Sequence, residues 1–269
     1  MTATPSNGPA AALAGVLVVV TRPEQQAAAF IEMLREKGAS PLPLPTLRIE
    51  PIRLSQEQRS RLAPDRYDWA IYLSTNAVEQ SLTQLARPVA VKIAAVGKAT
   101  ARRLIDHGLT VHSVPETTRD SEGLLRLPQF ASVAGQRILL LRGVGGRELL
   151  RDELSERGAS VAIAELYRRE PVTASPEAID GLRRQLGGTR RVIVAVTSVA
   201  ILDGLLHAVP HDLAARLREL PLLVPGERVA AAASERGWTG RLIVAGSAED
   251  SAMLETLVAD ETRGRSERA

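Results

Sequence analysis

Eight short polar stretches recur along the chain. Each follows an apolar run and precedes a segment with helical spacing: Thr21-Arg22, Ser74-Thr75-Asn76, Gly97-Lys98-Ala99-Thr100, Asp120-Ser121, the segment from Arg142 to Arg147, Thr197-Ser198, Gly226-Glu227-Arg228 and Asp250-Ser251. Residues of this kind open helices, and a helix start presents unpaired N–H groups at the positive end of a dipole. One such cap is ordinary. Its recurrence at nearly every strand end suits an anionic ligand held by many main-chain amides. The chemistry on offer is the binding and orientation of carboxylates or phosphates.

Arg142-Gly143-Val144-Gly145-Gly146-Arg147 is the sharpest of these motifs. Glu148 stands where a dinucleotide fingerprint needs its third glycine, and no ribose-binding acid follows on a second strand, so the nucleotide reading is rejected. The three glycines still let a ligand approach the backbone, with Arg142 and Arg147 as counter-charges. Tyr167 lies apart, in Glu165-Leu166-Tyr167-Arg168-Arg169-Glu170-Pro171. It reads either as an aromatic that packs this stretch or as a phenol that points into a cleft as hydrogen-bond donor or weak acid.

Composition narrows the classes. The chain has no cysteine, which excludes disulfides, thiol nucleophiles and Cys-ligated metals. His107, His112, His207 and His211 lack metal-ligand spacing, and Pro210 breaks any helix joining the last two. No Ser-His-Asp set, nucleophile elbow, Walker A sequence or helical zinc motif stands out. The expectation is no metal and no cofactor. Of 34 basic residues only Lys37, Lys92 and Lys98 are lysines; the guanidinium fork suits carboxylate and phosphate, and a GC-rich genome writes Arg equally well. Acidic residues are interspersed and aromatics are 3%, which does not fit a nucleic-acid binder. No apolar run reaches membrane-spanning length and no basic region precedes the apolar start, so the expectation is a soluble, cytoplasmic protein; no obvious apolar helix face is left over, so a monomer is expected.

Elements must hold these residues. Residues 16–20, 68–73, 92–96 and 111–114 read as strands, with helices at 27–35, 77–85, 101–106 and about 121–126. The second half replays this. Residues 137–141 match 16–20, placing Arg142 opposite Arg22; 192–198 match the strand ending at Ser74-Thr75; 222–226 match 94–97; and Asp250-Ser251 match Asp120-Ser121. Lys37-Gly38-Ala39-Ser40 is echoed by Arg157-Gly158-Ala159-Ser160, and each echo leads to an Arg-x-Glu-Pro segment, at Arg48 to Pro51 and Arg168 to Pro171. The reading is a duplicated α/β unit with parallel sheets, its two extended segments forming a two-stranded hinge.

The chain resembles the uroporphyrinogen-III synthases, above all their proteobacterial forms, from about Val16 to Leu257. The carriers are Leu17-Val-Val-Val-Thr21-Arg22-Pro23, Ser74-Thr-Asn-Ala-Val78, Ala95-Val-Gly-Lys-Ala-Thr-Ala101, Asp120-Ser-Glu122, Leu141-Arg-Gly-Val-Gly-Gly-Arg-Glu-Leu149, Leu166-Tyr-Arg-Arg169 and Val224-Pro-Gly-Glu-Arg-Val229. Their order and spacing together are specific. The resemblance implies two flavodoxin-like domains joined by a two-stranded antiparallel ladder, with a crossover. Residues 15–46 plus 171–260 would form one domain and 52–166 the other; 47–51 and 167–170 would be the hinge strands, 1–14 a disordered tail and 261–269 a flexible one.

The resemblance further implies a cofactor-independent lyase that cyclises hydroxymethylbilane, a linear tetrapyrrole with eight carboxylates. Water is lost, ring D is inverted through a spiro intermediate, and the product is uroporphyrinogen III. Such an enzyme mainly folds a reactive substrate and selects which carbon attacks. Carried over by position, Tyr167 is the catalytic candidate, helping hydroxide leave, and Thr100 is a cleft threonine. The expected substrate contacts are Thr21, Arg22, Ser74, Thr75, Asn76, Lys98, Thr100, Ser121, Arg142, Gly143, Gly145, Gly146, Arg147, Thr197, Ser198 and Arg228. Arg228-Val229 depart from a threonine pair found in animal members, which makes Arg228 a carboxylate partner. The alternative class is a non-enzymatic hinged binder of a small anion; a nucleotide-sugar transferase lacks its nucleotide-recognition acid.

Overall fold

The computed structural model describes residues 12–115, 121–146, 148–188 and 190–266. Its elements run β1 (Val16–Val20), α1 (Glu24–Glu36), β2 (Ser40–Pro43), β3 (Leu47–Pro51), α2 (Gln56–Arg61), β4 (Trp69–Tyr72) and α3 (Thr75–Gln84). Then come β5 (Lys92–Ala95), α4 (Lys98–Asp106), α5 (Ser121–Leu125), β6 (Arg137–Gly143), α6 (Leu149–Glu156) and β7 (Ser160–Pro171). The rest is α7 (Pro176–Leu186), β8 (Arg191–Ala195), α8 (Val199–Ala208), α9 (His211–Arg218), β9 (Leu222–Val224), α10 (Glu227–Glu235), β10 (Leu242–Val244) and α11 (Asp250–Ser266). The chain divides into two compact units. One takes in the chain up to Arg48 and again from Glu170, the other Ile49–Arg169.

In the first unit the sheet order is β10-β9-β8-β1-β2, parallel at every pairing. Residues of β1 are apolar on both faces because both faces are covered. Leu17 and Val19 pack with Val192, Val194 and Leu205 on one side; Val16, Val18 and Val20 pack with Phe30, Ile193 and Leu257 on the other. The second sheet has the order β3-β7-β6-β4-β5, parallel from β7 through β5. Here β6 sends Leu139 and Leu141 to one face and Ile138 and Leu140 to the other. Full burial of such a side chain contributes about 1.5–3 kcal/mol.

The repeat seen in the sequence is a repeat of sheet position. Strands β1, β8 and β9 stand in the order that β6, β4 and β5 take in the other sheet, and β2 and β7 flank them alike. The order in which strands are added reverses between β1 and β8, and between β6 and β4, and in such parallel sheets that is where a crevice opens. Helix ends obey local rules in both copies. The Ser74 hydroxyl accepts the Ala77 N–H at 3.0 Å, and the Ser198 hydroxyl accepts the Ile201 N–H at 3.2 Å. Gly38 and Gly158 take φ values of 82° and 86°, the left-handed turn that ends α1 and α6.

Several expectations need correcting. Residues 111–114 form no strand; they make one bridge, Ala94 to Ser113. The cause is local: the Ile93 N–H donates to His112 Nδ1 at 3.1 Å, so a side chain takes the place of a ladder partner. Helices α2 and α7 were not foreseen, although Ser55 with Gln58 makes a capping box and Ser175-Pro176 is a helix start. Leu13, within the expected 1–14 tail, is fully buried, and its N–H donates to Lys37 O at 2.8 Å. Residues 261–266 are not a loose tail, since α11 runs to Ser266. Asp260 and Glu261 are buried there and pair with Arg241 and Arg191.

Candidate active site

The strand ends of the second unit bring together residues far apart in the chain. β4 ends at Tyr72, followed by Leu73 and Ser74, and Ser74 opens α3. Next to β4 lies β6, whose last residue is Gly143. β7 pairs with β6 in register as far as Arg142 with Glu165, and then shifts so that Gly143 lies opposite Tyr167. The extra residue, Leu166, is a bulge, a device that re-aims side chains. Leu166 and Tyr167 therefore enter the same core although they are neighbours in a strand.

The bulge puts the Tyr167 ring against the Gly143 backbone. A Cβ on Gly143 would stand 2.6 Å from Tyr167 Cζ, so only glycine leaves room for the ring. The residue is 1% exposed, and its phenol oxygen has two polar partners. Ser74 Oγ lies 2.9 Å away, and Arg169 Nη2 donates at 3.0 Å, with the guanidinium 5.3 Å from the ring centre. The site is thus a buried phenol with a cation on one side and a half-buried hydroxyl on the other. It can hold a proton and offer hydrogen bonds to an oxygen.

Beside it, Arg142 is buried and internally paired. Its Nη2 donates to Glu148 Oε1 at 2.8 Å and to Glu165 Oε1 at 3.1 Å, and its Nη1 to the Gly146 carbonyl at 3.3 Å. It braces the turn through Gly145, whose φ of 73° favours glycine. Arg22, its counterpart in the repeat, behaves alike: it pairs with Asp250 and stacks on Phe30 at 4.7 Å. Both arginines tie a strand end to a neighbouring loop, so the free counter-charge expected of them is engaged within the chain. Thr21 is fully buried and donates to Ala195 O at 2.7 Å, linking β1 to β8.

The remaining expected residues are distributed over helix starts. Thr75 and Asn76 are half-buried in the first turn of α3; Lys98 is exposed and Thr100 buried at the start of α4; Ser121 opens α5. Thr197 and Ser198 are half-buried before α8, and Arg228 is exposed on α10. Arg147 lies outside the described residues. Arg169, Glu148 and Glu165 were missed. Residues two apart on an extended strand share a face, and that spacing was the available signal for Arg169 beside Tyr167. At the end of β4, two residues before Ser74, burial pushes the Tyr72 phenol up. Among the described residues no group of three acidic or histidine side chains is placed to hold a metal ion.

Comparison with known proteins gives one answer. The family model described as uroporphyrinogen-III synthase HemD matches residues 28–255. The chain is 33% identical to the uroporphyrinogen-III synthase of Salmonella typhimurium over 251 residues, covering 89% of this chain and 99% of that one. It shares its fold with a variant uroporphyrinogen III synthase of Thermus thermophilus (TM-score 0.59, 22% identity, 93% of this chain and 99% of that chain). The same holds for the Helicobacter pylori uroporphyrinogen-III synthetase (TM-score 0.60, 17% identity, 90% and 98%). The residues matched by the family model take in every element from α1 into α11, and on that ground the chain belongs to the uroporphyrinogen-III synthase family.

Proposed function

We infer that this chain carries out the reaction of its family in heme biosynthesis. It cyclises hydroxymethylbilane to uroporphyrinogen III, with loss of water and inversion of ring D, as a lyase that draws on no cofactor. The observation that carries this is the near end-to-end match to the Salmonella synthase, 99% of whose length is covered. Chemistry agrees: strand ends rich in helix N-termini suit a substrate with many carboxylates, and a phenol network suits departure of hydroxide.

The finer assignments are part of the same proposal. Main-chain amides at Ser74 to Asn76, Lys98 to Thr100, Ser121, Gly143, Gly145, Gly146, Thr197 and Ser198 receive carboxylates. Lys98 and Arg228, both exposed, supply charge that the paired Arg22 and Arg142 do not. The two passages of the chain between units, at Arg48 to Ile49 and Arg169 to Glu170, act as a two-stranded antiparallel hinge between flavodoxin-like domains. In support, Ile52 N–H donates to Leu166 O at 2.9 Å, Glu50 pairs with Arg168, and Val172 N–H donates to Thr46 O at 3.0 Å. One partner's number rises as the other's falls, as in antiparallel pairing. Among the described residues no helix is long and apolar enough to cross a membrane. The working form is a cytoplasmic monomer.

The test uses hydroxymethylbilane generated enzymatically in the same reaction, with oxidised products separated by isomer. Isomer III is expected. Isomer I alone, as forms without enzyme, would refute the assignment in favour of a hinged binder.

A further inference from the structure

We propose that Ser74 is the group that gives its proton to the departing hydroxyl, with Tyr167 and Arg169 positioned behind it as a relay; this rests on the reaction inferred above. The direction of the network follows from donor counting. Arg169 has only donors, so at 3.0 Å it gives a hydrogen bond to the phenol oxygen and cannot take one. Among the described residues, the acceptor for the phenol's own proton is Ser74 Oγ at 2.9 Å. Ser74 Oγ already accepts the Ala77 N–H at 3.0 Å. With both acceptor sites of the hydroxyl filled, the Ser74 proton is the one left to point outward.

Exposure agrees with that order. Tyr167 is 1% exposed and lies under the Gly143 backbone, whereas Ser74 is half-buried at the end of β4. A ligand at the strand ends meets the serine before the phenol. Arg169, itself exposed, donates to the phenol oxygen, with its guanidinium 5.3 Å from the ring centre.

The step balances. The carbon–oxygen bond of the hydroxymethyl group breaks, and its electron pair leaves with oxygen. The Ser74 proton passes to that oxygen, forming water, as the Tyr167 proton passes to Ser74. A tyrosinate beside the Arg169 guanidinium remains, opposite a substrate cation. When the closing ring regains its aromaticity it releases one proton, which returns through Ser74 to Tyr167. No outside acid or oxidant is consumed.

The test compares Ser74→Gly, Ser74→Thr, Tyr167→Phe, Arg169→Met and the Ser74→Gly/Tyr167→Phe double variant in the isomer III assay, with thermal melting as a control. Glycine is a tolerated cap residue, so Ser74→Gly removes the hydroxyl at little cost to α3. Its kcat should fall roughly a hundredfold, the low end for general acid catalysis, with KM nearly unchanged. Ser74→Thr should return most of that loss, and the double variant should be no slower than Ser74→Gly alone. Arg169→Met should lower kcat by about tenfold without shifting the melting midpoint. Wild-type kcat in Ser74→Gly, or losses that multiply in the double variant, would overturn the relay while leaving the family reaction intact. Failure of the wild type itself to make isomer III would strike the reaction inferred above.

Discussion

Gly143→Ala tests how tightly the phenol is placed. The added methyl would stand 2.6 Å from Tyr167 Cζ and 2.7 Å from Cε2, whereas carbon atoms in contact sit about 3.5 Å apart. Something must move by about 1 Å. The ring is confined: Tyr167 is 1% exposed, Ser74 and Arg169 hold its oxygen, and Gly143 lies opposite it in the β6–β7 ladder. Overpacking of this size costs about 2 kcal/mol. A displacement near 1 Å at a group that orients a reacting atom costs roughly a hundredfold in turnover. The assays are the denaturant midpoint and initial rates of isomer III formation. In a Tyr167→Leu background, whose smaller side chain can yield, the same glycine substitution should cost at least 1 kcal/mol less, since contacting residues couple on that scale. Unchanged midpoint and turnover in Gly143→Ala, or equal costs in both backgrounds, would refute the packing argument.

Three further outcomes follow from the ion pairs and caps. Arg191→Met should destabilise the first unit by about 3 kcal/mol in denaturant melts, because it takes a cation from the buried Glu261 and Asp260 carboxylates; a loss below about 1 kcal/mol, the value of a surface pair, would contradict it. Glu79 is pulled in opposite directions: burial raises its pKa, but hydrogen bonds from Arg103 and His107 outweigh this and leave it below 4.5. A depressed carboxyl contributes stability above its unfolded value and loses it as pH falls, so the melting gap between wild type and Glu79→Gln should narrow from pH 6 toward roughly pH 3; a gap independent of pH would contradict the pairing. Ser198→Ala should cost about 1 kcal/mol through the lost cap on α8, read by thermal melting, while Ser198→Asp should cost less.

Much of the fold was legible because it obeys rules that act over a few residues. The run Val16–Val20, apolar on both faces, is a buried parallel strand, and Ser74 and Ser198 cap helices where their small polar side chains allow. Gly38 and Gly158 end helices in both copies. The duplication was legible too, since matched segments occupy matched sheet positions. Residues 111–114 misled because a single side chain, His112, captured an amide that periodicity assigns to a ladder.

The site is a different matter. Residue type and spacing alone singled out Tyr167 and Ser74, and resemblance gave the phenol its role, yet nothing local joins residues 93 positions apart. Their meeting depends on β6 lying between β4 and β7 and on the one-residue shift at Leu166. The same holds for the charges. Arg142 reads as an available counter-charge and Arg22 as a substrate contact, but partners at Asp250, Glu148 and Glu165 engage them once the strand ends are assembled. Sequence by itself determined the elements, their caps and their repetition, because those follow from neighbours within a few residues. Only the tertiary structure decided which hydroxyl meets the phenol and which arginines remain free, because those pairings depend on sheet order and on a bulge that local pattern does not record.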